Sequence, residues 1–72
     1  MRFSYNNLWK LMIDRGIKKK TLREMSGISP TSVAKLGKGA NVNTDVLLRV
    51  CNALNCDVGD IMEFVRDDAP IE

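Results

Sequence analysis

Lys18-Lys19-Lys20, then Lys35 and Lys38, with Ser29-Pro30-Thr31-Ser32 between them, are the residues of this chain whose types and spacing point to chemistry. Clustered ammonium groups suit an anion, phosphate above all. Ser29 can cap a helix while the free N–H groups of that helix start face an oxyanion. The remaining reactive side chains offer less. Cys51 and Cys56 are five apart, spanning the end of one helical stretch, which neither stacks them on one helix face nor matches zinc-ligand spacing. Cys51 is expected in the core and Cys56 in a turn. Asp57, Asp60 and Glu63 are expected to cap a helix and to form a solvated acidic face rather than to hold a cation. Gly37-Lys38-Gly39 resembles part of a phosphate loop, but the Gly-Lys-Ser/Thr element and the preceding strand are absent, so nucleotide binding is not expected.

Composition narrows the field further. The chain has 72 residues, 44% hydrophobic and 28% charged, enough for one domain that buries about 60% of its unfolded surface and is marginally stable alone. With no histidine, Ser-His-Asp and Cys-His catalysis and every His-ligated metal site are excluded. Two cysteines are too few for a disulfide scaffold or a four-thiolate zinc site. No catalytic residue, metal, cofactor or small-molecule ligand is therefore expected. Apolar runs such as Leu11-Met12-Ile13 are far too short for a membrane span, and the start, Met1 to Asn7, lacks a signal-peptide apolar region. A cytoplasmic protein is expected. The net charge of +2 conceals an asymmetry: residues 1–39 hold nine basic and two acidic side chains, residues 40–72 two basic and seven acidic.

The elements that must position the lysines read as helical almost throughout, with no segment alternating long enough for a convincing strand. The expectation is all-α: a compact bundle of five short helices containing a helix-turn-helix. The first is capped by Ser4, carries Leu8, Leu11 and Met12 toward the core with Trp9 beside them, and ends at Gly16 near Arg15. The second has Leu22 and Met25 on one face and Gly27 as its left-handed stop. Thr21 and Glu24 fit a capping box, but a start at Lys18 is preferred. The third begins at Ser29 with Pro30 in the first helical position and runs through Val33 and Leu36 to Gly37. After a Gly- and Asn-rich loop, Thr44 caps a fourth, Asp45 to Asn55, with Leu47, Val50, Cys51 and Leu54 at core spacing. Asp57 and Asp60 cap a last short helix with Val58, Ile61 and Met62 inward. The domain is placed at residues 1–66, with the helix-turn-helix at about 18–37, and residues 67–72 form a short acidic tail that frays.

Leu22, the turn Ser26-Gly27-Ile28-Ser29, Val33, Leu36, then Leu47, Val50, Leu54 and Val58 to Met62 together resemble the XRE or Cro-type, lambda-repressor-like helix-turn-helix DNA-binding family, over about residues 5–64. The resemblance implies sequence-specific binding of double-stranded DNA by a small transcriptional regulator, with helix 29–36 in the major groove. It places base reading at Pro30, Thr31, Ser32 and Lys35. Lys19 stands where the family often has a phosphate-binding glutamine, and Arg23 where a small residue usually lets the two helices approach. The physics agrees: a helix about 10–12 Å across fits a major groove about 12 Å wide. Lys18, Lys19, Lys20, Ser29 and Lys38 would meet backbone phosphates, positioning the domain without reading sequence. A lysine run alone is more often a solvated face; the helix-turn-helix beside it favours phosphate.

The acidic half is either the solvent side of the last helices or a region whose repulsion from DNA orients the basic face. Met62, Phe64 and Val65 either pack the core or make a dimer contact. A homodimer, at least on DNA, would place recognition helices one turn, about 34 Å, apart on a pseudo-palindromic operator. The competing reading is an antitoxin-like or other protein-interaction module with secondary DNA binding, in which the apolar cluster rather than the lysines dominates affinity. RNA binding is disfavoured by the scarcity of aromatic side chains for stacking.

Overall fold

Why four helices and not five form around this core is clearest from the ends of each. The computed structural model describes residues 2–66, in the order β1 (Arg2–Ser4), α1 (Asn6–Arg15), α2 (Lys19–Ser26), α3 (Pro30–Lys38), α4 (Thr44–Leu54), a single 3₁₀ turn (Val58–Asp60) and β2 (Glu63–Val65). The expected acidic tail lies outside the described residues. The expected fifth helix stops after one turn. Asp57 and Asp60 do form the anticipated capping box, the Asp57 N–H donating to Asp60 Oδ2 at 3.0 Å and the Val58 N–H to Asp57 Oδ1 at 2.6 Å. The chain then leaves for β2, which pairs antiparallel with β1 in the register Arg2↔Val65, Phe3↔Phe64, Ser4↔Glu63. Strands of three residues are too short for alternation to register in sequence. Their pairing is reinforced by the directly opposed Phe3 and Phe64 rings, stacked with centroids 5.1 Å apart. The fold remains mostly helical, with this small sheet joining its two ends.

Several helix boundaries shift for identifiable reasons. Ser4 is drawn into β1, so Tyr5 becomes the α1 N-cap, although the Asn6 N–H still donates to Ser4 Oγ at 3.3 Å. Tyr5 is buried, which raises its phenol pKa, and its hydroxyl donates to the Ala40 carbonyl at 3.1 Å, tying the start of α1 to the loop after α3. α2 starts at Lys19 with Lys18 as N-cap, and no Thr21–Glu24 box forms. α3 runs through Gly37 and ends at Lys38, because Gly39 adopts φ 72° and the N–H groups of Gly39 and Ala40 return to the carbonyls of Leu36 and Lys35. In α4, Asn43 is the N-cap rather than Thr44, and Asn55 at φ 53° ends the helix.

The core draws on every helix: Leu8 of α1, Leu22 of α2, Leu36 of α3, Val50 and Leu54 of α4, and Ile61 after the 3₁₀ turn are fully buried. Leu11, Trp9, Val33, Leu47, Cys51 and Met62 pack around it half-buried. In α4 the buried stripe is Val46, Val50 and Leu54, so Leu47 lies at the edge of the core. Met25, expected to share a face with Leu22, is 48% exposed, and Ser26 is buried with its hydroxyl donating to the Leu22 carbonyl at 2.6 Å. Val58, also expected inward, is exposed. Arg15 does more than favour its own helix end: its guanidinium donates to the Leu54 carbonyl, placing a cation at the C-terminus of α4. Among the described residues no buried side-chain nitrogen or oxygen lacks a hydrogen-bond partner, and no helix is long and apolar enough to cross a membrane.

Candidate nucleic-acid interface

α2 and α3 are set at an angle by a three-residue turn. Gly27 takes the left-handed conformation, φ 74°, that lets its N–H close on the Arg23 carbonyl; Ile28 is buried and anchors the turn in the core. Ser29 then opens α3 in extended conformation, its Oγ accepting the Ser32 N–H at 3.1 Å, and Pro30 follows at the first helical position. The Ser29 hydroxyl also donates to Ser32 Oγ at 3.1 Å. Ser29 is thus the cap its sequence context indicates.

The outward face of α3 follows from Leu36 pointing to the core. At 100° per residue, Thr31, Ala34 and Lys38 fall opposite Leu36, with Pro30 and Lys35 on their flanks. Burial agrees: Pro30, Thr31, Ala34, Lys35 and Lys38 are exposed, and Ser32 is half-buried against its bond to Ser29. Of the four residues expected to read bases, Pro30, Thr31 and Lys35 share the open surface while Ser32 turns aside. Ala34 joins them, and its 31/34/35/38 spacing was the available signal. Lys38, expected beside the helix, is instead on its outward stripe.

The lysines in the first turn of α2 face the same side. Lys19, Lys20 and Arg23 wall a cleft of about 290 Å³ whose other wall is Pro30 and Val33 of α3. Arg23 is half-buried and brings a guanidinium into this cleft, a role its sequence position did not suggest. Lys19 is held in place: its Nζ lies 4.9 Å from the centroid of the Trp9 ring, and a Cβ built on Gly37 would sit 3.7 Å from it. Lys18, at the N-cap, is exposed. No carboxylate lies within ion-pair distance of Lys18, Lys19, Lys20, Arg23, Lys35 or Lys38 among the described residues, and the first turns of α2 and α3 contain no acid. Lysines at the positive end of a helix dipole oppose the helix they begin, unless an anion joins them.

A sequence profile described as a Cro/C1-type helix-turn-helix DNA-binding domain matches residues 7–67. The fold is also that of a solved crystal structure of the transcriptional regulator VanUg, Form II, with a TM-score of 0.82 and 60% sequence identity, covering 86% of this chain and 83% of that one. The chain belongs to the Cro/C1-type helix-turn-helix family. No curated protein matches it. As a Cro/C1-type domain it is a DNA-binding regulator and not an enzyme.

In this Cro/C1-type domain the rest of the surface is organised differently. Arg49 belongs to the acidic half of the sequence, yet its guanidinium lies 3.5 Å from where a Gly27 side chain would begin, against the helix-turn-helix turn. Its Nε donates to Asp45 at 2.8 Å, one helical turn away. The apolar trio near the end divides: Met62 packs against the core, Val65 is half-buried, and Phe64 is 69% exposed. Cys51 and Cys56, expected apart, are brought together by the end of α4. The left-handed Asn55 reverses the chain, so that the Cys56 N–H donates to the Cys51 carbonyl at 3.0 Å. Helical periodicity could not show this, because the second cysteine lies beyond the helix. Among the described residues no three His, Cys, Asp or Glu side chains converge to hold a metal.

Proposed function

We propose that this domain, spanning residues 1–66 with an acidic tail beyond, binds double-stranded DNA sequence-specifically as a small cytoplasmic transcriptional repressor, with α3 in the major groove. The observation that carries the reading is the continuity of α3's open face with the Lys19, Lys20 and Arg23 cleft, in which cations stand without carboxylate partners among the described residues. Lys35 reaches guanine O6/N7; the Thr31 and Ala34 methyls meet a thymine methyl, and Pro30 packs at the helix tip. Ser32 serves mainly through its bond to Ser29. Lys18, Lys19, Lys20 and Lys38, with Arg23, contact phosphates, and the Thr31 N–H beside the Ser29 cap faces another. The small polar reading surface leaves part of the discrimination to DNA shape.

On DNA the protein is a homodimer whose two α3 helices lie about 34 Å apart. Exposed Phe64, backed by Phe3, with Val65 supplies the apolar contact, and Met62 supports it from the core side. The test is titration of duplexes carrying a selected site or random sequence across a salt series. Preference for the selected site and a steep loss of affinity with salt support the proposal; equal, salt-independent binding would reject it.

One observation favours the protein-interaction alternative. An open groove of about 690 Å³ between α4 and the 3₁₀ turn is lined by Leu47, Leu48 and Val58, and Leu48 is 68% exposed. If a protein partner is the primary target, replacing Leu48 by Asp abolishes its capture while Lys19→Ala does not.

A further inference from the structure

We propose that Cys51 and Cys56 form a reversible intramolecular disulfide, making the C-terminal turn of α4 a two-electron oxidation site. The backbone supplies the geometry. In the turn that ends α4, the Asn55 N–H returns to the Asn52 carbonyl and the Cys56 N–H to the Cys51 carbonyl at 3.0 Å. This double closure sets the first and last residues of the turn side by side, and their side chains normally make an apolar contact there. Here both side chains are thiols. The 3.0 Å bond holds the two Cα atoms within about 7 Å, at or inside the upper limit that a cystine spans. Both cysteines are half-buried, and both line the open groove beside Leu48 and Val58. A small oxidant can therefore reach them. No third His, Cys, Asp or Glu side chain completes a metal-holding set with the pair among the described residues.

The electron balance is that of thiol–disulfide exchange with a low-molecular-weight disulfide of the glutathione type. The Cys56 thiolate attacks one sulfur of the oxidant, breaking its S–S bond and releasing one small thiol. Cys51 gives its proton to solvent and attacks the Cys56 sulfur, forming the protein S–S bond and releasing the second small thiol. The protein loses two electrons and two protons, and the oxidant is reduced to two thiols. Burial first, then the charge and hydrogen bond of Cys56 and the charges of Asp57 and Asp60, push the Cys51 pKa up to about 11. Burial disfavours the Cys51 thiolate, so Cys51 serves as the resolving thiol. Cys51 and Arg49 lie about 200° apart around α4, so oxidation remodels the apolar groove rather than the helix-turn-helix turn that Arg49 touches.

The test uses the full 72-residue chain, folded and reduced, incubated with oxidised glutathione and followed by intact mass and free-thiol titration. Both thiols should disappear together, with loss of two hydrogens per chain, no retained glutathione, no covalent dimer, and full reversal by a dithiol reductant. Cys51→Ser should instead keep one glutathione on Cys56. Stable glutathione adducts or intermolecular disulfides on the unmodified sequence would overturn the proposal. So would survival of both thiols under conditions that oxidise the urea-unfolded chain.

Discussion

Among the described residues, Lys18, Lys19, Lys20, Arg23, Lys35 and Lys38 of α2, the turn and α3 stand without carboxylates, whereas from α4 to the 3₁₀ turn the acids are committed to the chain itself. Asp45 holds Arg49, and Asp57 and Asp60 satisfy backbone N–H groups. The acidic end uses its charge to pair within α4 and to cap the 3₁₀ turn. At the start of α2, Lys18, Lys19 and Lys20 place charge where it opposes the helix dipole, whereas Arg23, Lys35 and Lys38 sit in last turns that favour a cation. A local rule broken in this way points to an external partner of opposite sign, which for a Cro/C1-type domain is the DNA phosphate backbone.

The comparison is broken most severely by reversing charge on the basic side. Lys19→Glu with Lys20→Glu should weaken binding to every duplex on the order of a hundredfold at low salt and flatten the salt dependence, while thermal stability is kept or slightly raised, because acids suit the start of α2. An equal loss of stability would mean that these lysines serve the fold after all. Lys35→Ala should lower preference at one base-pair position by on the order of tenfold, read by competition between single-base variants of the site, with little change on random DNA. On the acidic side the effects should be opposite in kind. Asp57→Ala removes a cap and should cost about 1 kcal/mol, lowering the melting temperature by roughly 4–8 °C, with DNA affinity intact below the transition. The smallest effect sharpens the role of Lys19. Trp9 is the chain's single tryptophan, and its emission should shift when a phosphate draws the Lys19 ammonium from its ring. Trp9→Leu should weaken binding only about twofold, by freeing that side chain.

Much of this was legible in sequence, for reasons tied to particular residues. Gly16, Gly27, Ser29-Pro30 and the Asp57–Asp60 pair mark their boundaries because each has local backbone chemistry that context does not override. Leu8, Leu22, Leu36, Val50, Leu54 and Ile61 were recognisable as core from helical spacing. What escaped was non-local. β1 and β2 are too short to carry a pattern and exist because opposite ends of the chain meet. Gly37 looked like a helix stop, but Gly39 takes the left-handed position and leaves Gly37 helical. The lysines of the proposed interface stand out in the sequence by type and clustering. Ala34 and Arg23 do not stand out in the sequence, because the open face of α3 and the cleft it shares with α2 appear only once the two helices are packed. The charge asymmetry of the sequence also maps imperfectly onto space, since Arg49 crosses from the acidic half to the helix-turn-helix turn.

The central claim is that α3 and the uncompensated cations around it form one DNA-reading surface, used twice in a symmetric dimer. In vitro selection from random duplexes with the isolated protein tests it most directly. The expected result is an enriched inverted repeat whose half-sites are centred about one helical turn apart, with enrichment lost in the Lys35→Ala protein at one position of each half-site. Failure to enrich any duplex, or recovery of a site indifferent to Lys35 and to the Lys19–Lys20 pair, would contradict it.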